Sequence, residues 1–128
     1  AFGDIDNDGD IDAIISNNNG PANLLIREGK PINNWIGFDL EGIGSNRDAI
    51  GTRVVLMVNG KKQTKVVNTA GSYLASNDKR VLFGMDKNSK AQQVTIYWPS
   101  GRIDNFKDLE ADHYFKVKED GAISPIEY

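Results

Sequence analysis

Aspartates occupy every second position near the start of this chain. Residues 4–12 read DIDNDGDID, with a single glycine, Gly9, at the sixth position. Ca²⁺ is a hard cation that takes roughly six to eight oxygen ligands, and a chain that coils around it presents alternate side chains. A glycine allows the sharp turn that a Cβ would hinder. The spacing therefore predicts a calcium loop.

The expected ligands all come from this acid loop, residues 4–12. The predicted carboxylate ligands are Asp4, Asp6, Asp8 and Asp12. The backbone carbonyl of Asp10 is predicted as a fifth ligand, and its side chain is predicted to face solvent. Without a cation, five aspartates in such a short segment would repel one another. The alternative is a solvated acidic turn without an ion, but such a turn would not require this phase with the glycine.

The acid loop begins like an EF-hand and then departs from it. An EF-hand needs a glutamate at its twelfth position and a helix after it, whereas this chain has Ile15 there, in a strand-like run. The pattern D-x-D-x-D-G-x-x-D before a hydrophobic strand resembles the calcium loops of FG-GAP/VCBS β-propeller repeats. Phe2-Gly3 and residues 17–27 fit the same resemblance, which implies that residues 1–30 are a calcium-loop hairpin left from one propeller blade.

Composition bounds the class of protein. The 128 residues allow one ordinary domain plus a fragment. The formal net charge is −3, and residues 13–128 carry 15 basic against 13 acidic side chains, so no basic field favours nucleic acid. There is no cysteine, and no apolar run approaches the roughly 20 residues of a membrane span. Because the chain opens on Ala1 directly before a repeat motif, we expect a piece of a longer protein.

The remaining sequence is patterned as β-strands. The predicted strands are 35–41, 52–58, 61–68, 80–83, 92–98, 103–106 and 113–118. Asn59-Gly60 is a strong hairpin signal, and no window shows helical periodicity beyond a single turn at 108–112. We therefore predict an all-β fold: an antiparallel β-sandwich, or a closed barrel, over residues 31–120, with a C-terminal tail at 121–128.

Four different motifs follow one another through this body: residues 46–54 (NRDAIGTRV), 71–74 (GSYL), 83–84 (FG) and 98–102 (WPSGR). Together they resemble the ASPIC/UnbV domain over about residues 33–119. Leu82 and Met85-Asp86 stand where that family often has His and Leu-Gly. The resemblance implies an extracellular or cell-surface protein, as in animal cartilage acidic proteins and many secreted or outer-membrane-associated bacterial proteins, in which this domain follows FG-GAP/VCBS repeats.

A polar set accompanies these motifs: Asn46, Arg47, Asp48, Arg53 and Arg102. The set could recognise carboxylates or sugar acids, because arginine offers a bidentate fork. It could equally lock a loop onto the sheet through Asp48–Arg pairs and asparagine turn bonds, and we favour this structural interpretation.

No catalytic residues are predicted, and we expect no enzymatic activity. Ser72 lacks a nucleophile elbow, and the single histidine, His113, starts an apolar-patterned strand. Residues 42–45 look faintly like a phosphate loop but lead into a strand.

Three classes of function remain. The first is a non-catalytic, calcium-binding extracellular adhesion or interaction module. The second is a carbohydrate-binding accessory domain, which exposed aromatics would favour; the aromatic candidates are Trp35, Tyr73, Tyr97, Trp98 and Tyr114. The third is part of a hydrolase, which an acid with an abnormal pKa would favour. The expected partner is therefore a protein or carbohydrate at the cell surface or matrix.

Overall fold

The computed structural model describes residues 1–29 and 31–128 and arranges them in three β-sheets. The N-terminal sheet is antiparallel, in the order β1-β2-β3, and contains β1 (Phe2–Gly3), β2 (Asp12–Ile15) and β3 (Asn23–Leu25). The acid loop connects β1 to β2. Over the described ranges, no helix is long and apolar enough to cross a membrane.

Two four-stranded sheets form the main body. Their strands are β4 (Asn34–Glu41), β5 (Arg53–Val58), β6 (Lys61–Val66), β7 (Val81–Asp86), β8 (Lys90–Tyr97), β9 (Ile103–Glu110), β10 (His113–Lys118) and β11 (Ile123–Ile126). The first sandwich sheet has the order β11-β10-β4-β7, and the second has the order β6-β5-β8-β9. The predicted all-β sandwich is confirmed. The two sheets stay separate instead of closing into a barrel, and β4 and β10 are parallel in an otherwise antiparallel arrangement.

The alternation of β4 explains how the first sandwich sheet is covered on both faces. Ile36, Phe38 and Leu40 point into the core between the two sandwich sheets, where they are at most 3% exposed. Gly37 alternates with these residues along the strand and therefore lies on the opposite, outer face. There it is paired in register with Tyr114 of β10. The Tyr114 ring occupies the space where a Cβ on Gly37 would lie, 2.1 Å away. The outer face therefore has a buried aromatic of its own, which needs a cover.

The turns and strand ends agree broadly with those predicted from the sequence, with two main exceptions. Asn59 and Gly60 have positive φ (48° and 71°), as a type I′ hairpin requires. β9 continues to Glu110 and leaves no helical turn at 108–112. The segment predicted as a C-terminal tail contains β11, which pairs with β10 along the edge of the first sandwich sheet.

Candidate metal site and its contacts with the sandwich

The acid loop gathers three of its aspartates. Carboxylate oxygens of Asp4, Asp6 and Asp8 lie within 4.8 Å of one another. The backbone coils to achieve this: Asn7 and Gly9 both have positive φ (64° and 92°). Glycine tolerates that conformation without steric cost, and asparagine is among the most tolerant of the other residues. The loop conformation thus agrees with the turn that the position of Gly9 predicted.

Backbone N–H groups of the loop fix the inner carboxylates. Asp8 N–H donates to Asp4 Oδ1 (3.1 Å), and Gly9 N–H donates to Asp4 Oδ2 (2.9 Å). Asp10 N–H donates to Asp8 Oδ1 (2.9 Å). Because these bonds join neighbours within one tight loop, they set the direction of each side chain before any ion binds.

Asp12 and Asp10 do not join the three-carboxylate group. Asp12 is 2% exposed, and its two oxygens accept the N–H groups of Ile5 (2.8 Å) and Arg27 (3.0 Å). The Asp10 side chain was predicted to face solvent. Instead, its carboxylate pairs with the Arg27 guanidinium at 2.8 Å. Both aspartates therefore tie the acid loop to the segment that follows β3.

The three remaining carboxylates suit a hard cation. Among residues 1–29 and 31–128, no lysine or arginine forms an ion pair with Asp4, Asp6 or Asp8. The pKa of Asp6 is raised above its ordinary value, mainly by desolvation and to a smaller extent by repulsion from the Asp8 and Asp12 carboxylates. A donor set made only of oxygens is the chemistry that Ca²⁺ or Mg²⁺ requires, so the residues present fit a divalent hard cation.

The acid loop packs on the outer face of the first sandwich sheet. The Tyr114 hydroxyl donates to Asp4 Oδ2 at 2.7 Å, and both residues are 2% exposed. Gly9 lies against the indole of Trp35, where an added Cβ would come within 2.2 Å of Nε1. Trp35 and Tyr114 in turn pack together, with ring centroids 5.0 Å apart. The loop is therefore the cover that the outer aromatic face needs.

Arg80, just before β7, holds the same loop through its backbone. Its guanidinium donates to the Asp4 carbonyl and, at 2.6 Å, to Asn7 Oδ1. The Arg80 side chain also pairs with Asp78 at 2.6 Å and lies over the Tyr114 ring, 4.5 Å from the centroid. Burial works against the charged form, but the hydrogen bond to Asp78 and the other favourable contacts outweigh it and raise the Arg80 pKa, so the guanidinium stays charged.

β1 is attached to the loop that precedes β7. Phe2 N–H donates to Asn77 Oδ1, and Asp78 N–H donates to the Phe2 carbonyl, both at 2.9 Å. Gly3 lies so close to Asp78 that an added Cβ would be 2.9 Å from the Asp78 Cβ. With the Tyr114 and Arg80 contacts, these bonds make residues 1–15 part of the packed unit that contains the sandwich.

Another buried carboxylate, Glu119, directly after β10, closes the loop of residues 42–45. Its Oε2 accepts the N–H groups of Ile43 (2.6 Å) and Ser45 (2.7 Å), and its Oε1 accepts the hydroxyls of Ser45 (2.8 Å) and Ser100. Burial alone would raise the Glu119 pKa, but the Ser100 hydroxyl and the other donors lower it to about 2. Residues 42–45 thus bind an anion supplied by the chain itself, in place of a phosphate.

Most of the sandwich lies within a recognisable domain. A family model described as ASPIC and UnbV matches residues 42–124, more than half of the chain. The chain belongs to the ASPIC/UnbV family. No curated protein matches the chain. The matched range contains Glu119, Arg80 and Tyr114, whereas the acid loop lies outside it.

The polar set of the ASPIC/UnbV motifs does not form one cluster. Asn46 closes its own loop through two 2.9 Å bonds to the backbone of Ile50. Arg53 stacks on Tyr97, with its guanidinium carbon 4.3 Å from the ring centroid, and Arg102 pairs with Asp104 at 2.8 Å. These three side chains thus have separate, local partners.

Asp48 does not form, among the described residues, the arginine pairs that the structural interpretation expected. Its carboxylate pairs with Lys79 at 2.9 Å, and the hydrogen bond from Lys79, with the Lys79 charge, lowers the Asp48 pKa. The neighbouring Arg47 is exposed. A loop pinned by Asn46 agrees with the structural interpretation, but the arginine pairs predicted for it are not present in the described residues.

The residues considered for catalysis have simple surroundings. His113 Nδ1 lies 2.7 Å from the Ala111 carbonyl at the start of β10. Ser72 forms an isolated bridge with Ala75 in the loop before β7. Both positions are explained by local backbone contacts.

Three residues with important long-range contacts, two at the acid loop and one at residues 42–45, are not singled out by the sequence. Arg80, Tyr114 and Glu119 each contact groups more than 70 residues away. In the sequence, Tyr114 stands only as an aromatic on the polar-patterned face of the last predicted strand. A buried tyrosine usually finds a partner for its hydroxyl. An aromatic residue on a polar-patterned strand face was therefore the one signal in the sequence that this face is covered by a polar partner.

Proposed function

We propose that this chain is a non-catalytic, calcium-binding interaction module of an extracellular protein. Membership of the ASPIC/UnbV family supports a domain of a larger secreted protein. Ca²⁺ would be held by Asp4, Asp6 and Asp8, and it would supply positive charge that braces the loop. The observation that carries the interaction role is a large uncharged apolar surface beside that loop.

The N-terminal sheet is apolar and exposed on both faces. Register places Phe2, Ala13 and Leu25 on one face, and Ile14 with Leu24 on the other. Phe2, Leu24 and Leu25 are each 54% exposed. A sheet that projects apolar side chains from both faces is typical of a middle layer, because monomeric proteins rarely expose large contiguous apolar patches. This favours burial against other protein layers.

An apolar loop extends this surface. Tyr73 and Leu74, which precede β7, are 92% and 88% exposed. Together with Phe2, Ile15 and Leu25 they line a groove of about 710 Å³, and no charged side chain lines it. An uncharged groove beside a strongly acidic loop favours a partner whose contact face is apolar and neutral.

The resemblance of the acid loop to FG-GAP/VCBS repeats supports the same proposal. In a repeat architecture each unit is stabilised by its neighbours, so a three-stranded sheet with two exposed faces needs adjoining layers. Ca²⁺ is favoured over Mg²⁺, because Mg²⁺ demands near-octahedral geometry and keeps its waters. For a loop without those neighbours, we expect a dissociation constant of about 10⁻⁴–10⁻³ M.

A protein partner is favoured over a carbohydrate. Three of the five aromatics that could stack on sugars, Trp35, Trp98 and Tyr114, are buried. Tyr97 is partly covered by Arg53, which leaves Tyr73 as the strongly exposed member of that set. These five do not provide two exposed rings on one face, and Phe2, the exposed ring that shares the groove with Tyr73, lies among the aliphatic side chains of Ile15 and Leu25.

Site-specific photo-crosslinking tests the proposal. A photoreactive phenylalanine analogue is incorporated at position 73 or 25 of the protein expressed in its native host. Position 62, on the exposed, polar strand β6, is the control. We expect crosslinks from 73 and 25 to an apolar protein segment, mapped by mass spectrometry, and their loss with Leu74→Ser. Equal crosslinking from position 62, or glycan binding that Tyr73→Ala removes, would contradict a protein partner at this surface.

A further inference from the structure

Two buried polar groups connect the acid loop to the sandwich. Tyr114 and Asp4 are separated by 110 residues in the chain, yet the hydroxyl and carboxylate are 2.7 Å apart and both residues are 2% exposed. A buried carboxylate is costly unless it is hydrogen-bonded. The phenol therefore does more than fill space, because it satisfies one of the three acids that could bind the cation.

Asp4 is held from three directions. Its Oδ1 accepts from Asp8 N–H, and its Oδ2 accepts from both Gly9 N–H and the Tyr114 hydroxyl. The two N–H groups belong to the loop itself, whereas the hydroxyl belongs to β10. Tyr114 thus connects the orientation of this carboxylate to the first sandwich sheet.

Arg80 strengthens the connection without neutralising the acids. It donates to the Asp4 carbonyl and to Asn7 Oδ1, while its charge is balanced by Asp78. Its guanidinium lies over the Tyr114 ring. The loop backbone and the phenol are therefore positioned by one sandwich residue, and the loop carboxylates remain available to a cation.

We infer that Tyr114 is a positioning residue for calcium, and that through it the cation stabilises the whole sandwich. The inference rests on the proposed calcium function. A ligand stabilises every element that unfolds together with its site, by an amount set by its concentration relative to the dissociation constant. Because Asp4, Tyr114 and Trp35 pack together, loop and sandwich should unfold in one transition that Ca²⁺ moves to higher temperature.

Tyr114→Phe tests the hydroxyl alone, because it keeps the ring against Trp35. Tyr128→Phe is the matched control: its hydroxyl accepts from Arg80 and its ring packs on Tyr114, but it does not contact Asp4. Partners that orient a metal ligand from the outer shell typically contribute about 10-fold or more to affinity, so we expect about 10-fold weaker Ca²⁺ binding for Tyr114→Phe by calorimetry. We also expect a smaller calcium-induced rise in melting temperature, followed by near-ultraviolet circular dichroism. Tyr128→Phe should behave as the unmodified chain.

The outcomes separate the two proposals. If the unmodified chain does not bind Ca²⁺, or if Asp6→Ala with Asp8→Ala binds it equally well, the calcium function itself fails. If the unmodified chain binds Ca²⁺ and Tyr114→Phe binds it equally tightly with the same rise in melting temperature, the positioning role fails.

Asn7→Gly provides a test that leaves every sandwich residue unchanged, in case Tyr114→Phe does not fold. Glycine keeps the positive φ of this position but removes the oxygen that accepts from Arg80. The inference requires a reduced calcium effect on the sandwich transition in this variant. A full-size effect would overturn the coupling through the Arg80 contact.

Discussion

Replacing Glu119 by glutamine tests whether its buried carboxylate stabilises the domain by charge. The glutamine side chain should keep the bonds from Ile43 and Ser45 N–H through its carbonyl, since those donors meet one oxygen of Glu119. The serine hydroxyls can rotate and accept from the new amide. What is lost is the charge assistance of the four bonds, because a hydrogen bond to an ionised group is roughly twice as strong as a neutral one.

The expected size follows from these bonds. Charged hydrogen bonds contribute about 1.5–3 kcal/mol each and neutral bonds about 0.5–1.5 kcal/mol. Because four donors share one carboxylate, their losses do not add in full. We expect Glu119→Gln to lower the free energy of unfolding at pH 7 by about 2 kcal/mol, or roughly 8 °C in melting temperature for a domain of this size.

The pH dependence gives the stronger test. The folded pKa of Glu119 is lowered to about 2 from an ordinary value of 4.5. The stabilisation is therefore fully present above pH 4.5 and is lost as the pH falls from 4.5 towards 2. Glutamine does not titrate, so the difference in unfolding free energy between the two proteins should shrink over that window.

Urea unfolding at a series of pH values measures this difference. All other acids are common to both proteins and cancel in the comparison. Glu110→Gln is the matched control, because that carboxylate is exposed and paired with Lys90 on the surface, where a bridge contributes little. A Glu119→Gln difference that stays constant from about pH 7 to about pH 2.5 would refute the reasoning, since the stabilisation would then not depend on the charge of Glu119.

Two further substitutions test the acid loop and the polar set. Gly9→Ala should lower the unfolding free energy by about 2 kcal/mol or more in thermal melts, because φ is 92° and the new Cβ would meet Trp35. Gly20→Ala should change it little, because its new Cβ would make only an ordinary contact, 3.6 Å from Asn17 Cβ, and equal effects of the two substitutions would contradict the packing of the loop on Trp35. Asp48→Ala should leave the melting temperature almost unchanged, since its carboxylate is 69% exposed and pairs with a surface lysine; a clearly lowered melting temperature would show that the ion pair is structurally important.

The sequence was most informative where partners are close along the chain. The acid loop could be recognised because Asp4, Asp6 and Asp8 alternate around one glycine, and the structure brings these three together. The alternation of apolar residues along the predicted strand 35–41 likewise agrees with its buried face, since Ile36, Phe38 and Leu40 all enter the core. Both patterns depend on the local geometry of the backbone, which determines the spacing at which residues of one type repeat along the sequence.

Tertiary partners could not be read in the same way. Asp12 shares the spacing of a ligand, yet its oxygens accept N–H groups from Ile5 and Arg27, and the second of these is 15 residues away. Asp48 lies near arginines in sequence motifs, but the fold brings Lys79, from the loop before β7, to it instead. A charged residue has many oppositely charged candidates, and only the fold decides which is adjacent.

The place of the N-terminal segment follows from the faces of the first sandwich sheet. Gly37 and Tyr114 are on the outer face, and an aromatic ring there would be exposed if nothing covered it. The acid loop covers it and also supplies Asp4 as a partner for the phenol. The N-terminal sheet that continues from this loop keeps both of its own faces apolar and open. One segment thus completes the ASPIC/UnbV sandwich on one side, and on the other it presents the surface through which we propose that the domain binds its neighbour.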